Sequence, residues 1–122
     1  MRRKQKEIID MAYELTLTIN GEEKKFIRNE EPMLHDTMQA LKVQYQQARQ
    51  LQRPDGATSE DADENEKNIA NFAVSFWHGQ FKAGDVKQGC NLDNLDVINQ
   101  AIGDSLGSAD DEDGEEDGTE KN

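Results

Sequence analysis

The sequence predicts an α+β fold, mostly helical, with an N-terminal β-hairpin followed by about three amphipathic helices and a disordered acidic C-terminal tail. Three observations predict it. Apolar residues alternate with polar ones from Tyr13 to Ile19, just ahead of an Asn-Gly pair. Apolar side chains recur at steps of three and four through later stretches. Beyond Leu106 there is no large apolar side chain, and eight acids face one lysine.

The hairpin spans residues 13–27. Tyr13, Leu15, Leu17 and Ile19 alternate with Glu14, Thr16 and Thr18, and Asn20-Gly21 supplies two residues that tolerate positive φ. Pairing Ile19 with Glu22 sets Leu15 opposite Phe26 on an apolar face. Thr16 then faces Lys25, and Thr18 faces Glu23, on a polar one. Two strands alone are unstable in water, so the apolar face must lie on something.

Helices are expected at about 32–53, 60–78 and 91–106. Pro32 suits a first helical turn, and Leu34, Met38, Leu41, Tyr45, Ala48 and Gln52 form one stripe before Pro54 ends the run. "PDGATSEDADENE" is either a linker or, from Ser59 onward, the acid-rich opening of the next helix, where negative charge suits the dipole. That second helix carries Ile69, Phe72, Ala73, Phe76 and Trp77, and Gly79 is placed to end it. "GQFKAGDVKQG" has room for a single helical turn. Asn91 caps the last helix, whose Leu92, Leu95, Ile98, Ala101, Ile102 and Leu106 share a face.

These elements make one domain over 11–106, with 107–122 as the disordered tail. Two readings of residues 1–10 stand: an over-called extension ahead of a native start at Met11, or a short N-terminal helix or tail. Leu, Ile, Val and Phe make 23 of 122 residues, close to disordered composition. They are segregated into residues 11–51 and 67–106, however, so a small core with disordered margins is the better description. A core of that size leans on homo-oligomerisation or a partner for part of its stability.

A net charge of -12 argues against nucleic acid or an anionic membrane as a partner, since both would be repelled. No apolar run approaches the roughly 20 residues of a membrane span. One cysteine, Cys90, fits a reducing compartment, and with only His35 and His78 beside it no usual metal-ligand set exists. A calcium loop through Asp111, Asp113, Gly114 and Glu120 would start on Ala109, put Glu116 at its apolar position and lack flanking helices. A solvated tail is the simpler account.

Catalytic patterns are missing too. His35 and Asp36 are sequence neighbours that do not share a helix face, and His78 at a helix end suits the terminal carbonyls. No serine sits in a nucleophile elbow, and no phosphate-cradling glycine loop occurs. The sequence calls for no catalytic residue, cofactor or metal. What stands out is "FAVSFWHGQF", residues 72–81, with four of the seven aromatic residues. Phe72 and Phe76 fall on the core stripe. Trp77 and Phe81, at the Gly79 break, are expected at the core's edge, where aromatics serve binding surfaces.

The run "FAVSFWHGQFKAGDVKQG" followed by "NLDNLDVINQAI" resembles the closing half of tail assembly chaperones of long-tailed phages and prophages of Gram-positive bacteria. Those proteins also open with a short strand pair like "YELTLTINGEEKKF", and the likeness covers residues 11–106. It implies a non-enzymatic factor of the host bacterial cytoplasm. Such a factor binds the apolar tape-measure protein, keeps it soluble while the tail tube assembles, and is absent from the mature virion. It also implies a longer form made by programmed frameshift, whose extension recruits the major tail protein; "TEKN" can be encoded by a slippery heptamer. The candidate partner-binding residues are Met33, Met38, Phe72, Phe76, Trp77, Phe81 and Val86, because flat rings and flexible methionines tolerate varied clients. The competing reading is a small acidic interaction module that regulates or inhibits a basic partner through the acids at 60–66 and 110–117.

Overall fold

The computed structural model describes residues 12–107, so the expected N-terminal extension and nearly all of the acidic tail lie outside the described residues. The elements run β1 (Tyr13–Ile19), β2 (Glu22–Arg28), α1 (Leu34–Leu51), α2 (Ser59–Phe76), α3 (Ala83–Gly89) and α4 (Leu92–Ser105). The hairpin has the register expected from its turn. Ile19 pairs with Glu22, Leu15 with Phe26 and Thr16 with Lys25. Asn20 and Gly21 both take positive φ, 55° and 81°, as a two-residue turn of the right hand requires.

Each helix end has a local cause. Asp36 reaches back to accept from the Met33 backbone N–H at 2.8 Å, which opens α1. Thr58 and Asp61 exchange the same service at the start of α2: Thr58 N–H donates to the Asp61 carboxylate, and Asp61 N–H to Thr58 Oγ1. The acid-rich stretch from Ser59 is therefore helix and not linker. At the far end, α2 stops at Phe76, two residues short of the expected limit. His78 N–H bonds the Ser75 carbonyl and Gly79 N–H bonds that of Val74, a Schellman closure with His78 itself left-handed at φ 59°. The segment expected to hold one helical turn forms two, as α3. Asn91 accepts from Asn94 N–H to cap α4.

The core lies where the apolar face of β1 meets α2, α3 and α4. Tyr13, Leu15 and Leu17 are buried against Phe72, Phe76, Trp77, Phe81, Val86, Ile98 and Ala101. Rings lock edge to face: Tyr13 on Phe76 at 4.9 Å, Phe76 on Trp77 at 4.9 Å, and Phe26 on Phe81 at 4.9 Å. The outer edge of β1 is closed by helices: Asn94 Oδ1 accepts from Thr16 N–H at 2.8 Å, and α3 runs against Thr18. β2 is the outer strand, and its Glu22, Glu23, Lys24 and Lys25 are exposed, charges that discourage edge pairing.

The close approach of α3 to β1 depends on Gly89. A methyl group there would sit inside contact distance of the Thr18 carbonyl oxygen and 3.0 Å from the Thr18 nitrogen. Both obstacles are backbone, so neither can rotate away. Gly89→Ala is expected to cost about 1–3 kcal/mol, the range for forced overpacking. It should show as a lower urea midpoint with an unchanged m-value. An unchanged midpoint would mean that the helix and strand slide apart freely.

Arg28, at the end of β2, is buried and ties three elements together. Its Nη1 donates to the Phe76 carbonyl at 2.9 Å, its Nη2 to Glu31 O at 2.6 Å and to Asp36 Oδ2 at 2.9 Å, and its Nε to Glu30 O at 3.1 Å. The guanidinium also lies 4.1 Å from the centre of the Phe76 ring. Arg28 thus takes a terminal carbonyl of α2, the role expected of His78. The His78 ring instead meets Glu30 Oε1 at 3.1 Å in solvent.

Candidate functional site

The candidate residues separate into two groups. Phe72, Phe76, Trp77, Phe81 and Val86 are at most 5 % exposed, and Trp77 is 0 % exposed. This corrects the expectation that Trp77 and Phe81 stand accessible at the core's edge. The chain after Phe76 turns back under β1 instead of leaving the core, so Trp77 Nε1 donates to the Tyr13 carbonyl at 3.0 Å and Phe81 packs on Phe26. In this conformation the aromatic block is scaffold. Met33 and Met38, by contrast, are 56 % and 43 % exposed.

Met38 belongs to a continuous surface. Leu34, Met38, Leu41 and Tyr45 follow one another along α1 at steps of four, three and four, and they are 74 %, 43 %, 41 % and 63 % exposed. An amphipathic helix ordinarily turns such a stripe inward. α1 instead buries Asp36, Ala40, Val43 and Gln50, which at 3.6 residues per turn lie roughly 160° away around the helix.

Polar partners set this rotation. At one end Asp36 joins Arg28. At the other, Gln50 and Asn65 of α2 form a reciprocal amide pair, each donating to the other at 3.0 Å. Thr37 Oγ1 donates to Ser105 O of α4 at 2.8 Å between them, and small Ala40 is fully buried on this side of α1. Just past the helix, Arg53 binds Asp61 and holds that carboxyl below the usual carboxylate range. Turning the apolar stripe inward would break each of these pairs and strand Asp36 against a core.

The stripe has a charge signature of its own. Asp36 is the one acid between Leu34 and Arg53, and it is buried. Lys42 and Arg49 are exposed and fall on one flank of the stripe, with the Arg49 guanidinium 5.8 Å from the Tyr45 ring centre. Thr37 and Gln44 occupy the other flank. The exposed acids Glu60, Asp63, Glu64 and Glu66 sit on α2. A chain of charge -12 therefore presents an apolar ridge without exposed negative charge on the same helix.

A concavity of about 420 Å³ lies between α2, α3 and the start of α4. Ile69, Val86, Cys90, Leu92 and Leu95 line it, with Glu66 and Lys87 also in its wall. Burial pushes the Cys90 thiol up, away from the reactive thiolate. At the other end of the core, burial and the Asp104 carboxylate hold the Tyr13 hydroxyl above its ordinary range as it donates to Asp104 Oδ2 at 2.9 Å. Among the described residues no group of three His, Cys, Asp or Glu side chains could hold a metal ion, and no helix is long and apolar enough to cross a membrane.

A family model described as phage tail chaperone protein matches residues 11–122, the whole hairpin-and-helix domain included. The chain belongs to the phage tail chaperone family. No curated protein and no solved structure matches it. For a tail chaperone the α1 ridge is the feature of interest, since binding tail proteins calls for surface and the aromatic core offers none. Leu34, Leu41 and Tyr45 were missing from the candidate set because their spacing marks a stripe without saying which way it points. The signal that separates them is the lack of exposed acid along α1 in an otherwise acidic chain.

Proposed function

We propose that this tail chaperone binds the tape-measure protein of its phage and keeps it soluble in the host bacterial cytoplasm until the tail tube assembles around it. It acts by binding, without catalysis, and is left out of the mature virion. A frameshifted longer form would add contacts to the major tail protein. The observation that carries the reading is the apolar ridge of α1, where Met38 from the candidate set stands with Leu34, Leu41 and Tyr45, while Met33 is exposed at the start of the helix. Phe72, Phe76, Trp77, Phe81 and Val86 fill the core of the domain. The ridge suits an aggregation-prone client because it offers contact area without a shaped pocket, and flexible Met38 adapts to varied side chains. The chain's overall negative charge keeps such a complex dispersed.

Co-expression tests this directly. The tape-measure protein should move from the pellet to the soluble fraction when the chaperone is present. Leu41→Glu combined with Tyr45→Glu should weaken its binding about 30-fold or more, the scale of losing a central apolar contact. Both side chains are exposed, so the helical circular dichroism and melting temperature of the variant should match the parent. Equal rescue by parent and variant would place the client elsewhere.

A further inference from the structure

Resting on that client-binding reading, we propose that the occupant of the α1 ridge is an amphipathic helix whose own apolar stripe is flanked on one side by carboxylates. The first argument is backbone chemistry. Past its first turn the main-chain groups of α1 are spent within the helix, so the ridge offers no free row of donors or acceptors to pair with an extended segment. An occupant must satisfy its own backbone, and a helix does so. The ridge from Leu34 to Tyr45 is about 16 Å long at 1.5 Å per residue. Its steps of four, three and four match the seam by which two helices interlock.

The second argument is charge. Lys42 and Arg49 stand one heptad apart, roughly 60–80° from the middle of the stripe on the same side, with Thr37 and Gln44 equally far on the other. Neither cation makes an ion pair among the described residues. A helix carrying acids one heptad apart on the facing flank would meet both. A second copy of this chain would not. An antiparallel two-fold pair sets the Lys42–Arg49 flank against itself, and a parallel pair sets it against Thr37 and Gln44. Two copies would also bring together net charges of -12 each.

The test uses the full chain and two synthetic peptides of about 20 residues, long enough to hold a helix. Both carry the same apolar stripe; one has glutamates on the flank and the other lysines. Calorimetric titration at low salt should show the glutamate peptide binding about tenfold tighter, with the gap closing at high salt. The charge swap Lys42→Glu with Arg49→Glu should reverse the preference, and Leu41→Glu should abolish binding of both peptides. Equal affinities, or a preference that survives the charge swap, would overturn the proposal. So would sedimentation showing a dimer that Leu41→Glu dissolves, because the ridge would then be covered by a second copy. If tape-measure rescue still depends on Leu41 and Tyr45 while the peptides bind equally, the client reading stands and only the acid-flanked helix is lost. Rescue that ignores those residues, with the peptide preference intact, removes the client reading from this face and leaves the helix site.

Discussion

Trp77→Ala is expected to destabilise the domain by about 3–5 kcal/mol, the cost of emptying a large aromatic site in a close-packed core. Trp77 is the largest fully buried side chain, with Phe76 and Phe81 against its ring and the Tyr13 carbonyl on its indole nitrogen. Removing it leaves a cavity beneath β1 and takes the indole donor from the Tyr13 carbonyl. Small domains hold only about 5–15 kcal/mol in total. The variant should therefore melt far below the parent, followed by far-ultraviolet circular dichroism because the one tryptophan is gone. Trp77→Phe should recover most of the packing and none of the hydrogen bond, and so fall between the two. A Trp77→Ala protein with an unchanged melt but impaired client binding would mean that the side chain works at a surface after all.

Arg28→Met should cost a similar amount, about 3–5 kcal/mol, for an electrostatic reason. The guanidinium answers the Asp36 carboxylate and three carbonyl oxygens at once. Without it a buried carboxylate loses the one cation it meets among the described residues, and α2 loses the group on its terminal carbonyl. Arg28→Lys should rescue little, because one ammonium cannot span four acceptors in a fixed fork. Adding Asp36→Leu to Arg28→Met should return a substantial part of the loss, since the stranded charge is then removed. Additive costs in the urea-denaturation double-mutant cycle would argue that the two side chains are not coupled.

Much of this fold was legible residue by residue. The hairpin register follows from Asn20-Gly21 and a period of two, both local, and it holds at every pair from Tyr13 with Arg28 to Ile19 with Glu22. The caps made by Asp36 and by Thr58 with Asp61 were not legible, whereas the start of α4 was, because the Asn91 side chain caps it. The end of α2 was less so: Gly79 is the obvious stop, yet His78 takes the left-handed position. The burial of Trp77 could not be read at all, because its partner carbonyl lies 64 residues earlier in the chain.

The candidate site divides in the same way. Spacing alone determined that Leu34, Met38, Leu41 and Tyr45 form one face of one helix and that the aromatic block is contiguous. Which face of α1 meets the core was decided only in three dimensions. The apolar stripe, taken alone, favours facing inward. Against it stand the Arg28–Asp36 ion pair, the Gln50–Asn65 amide pair and the Thr37 hydrogen bond to Ser105, all of them made with residues outside the helix. Buried polar groups left unpaired cost more than one exposed stripe, so the helix turns its polar side in and its apolar side out. The periodicity of a helix is written along its own residues, and its rotation is set by the partners that the rest of the fold brings to it.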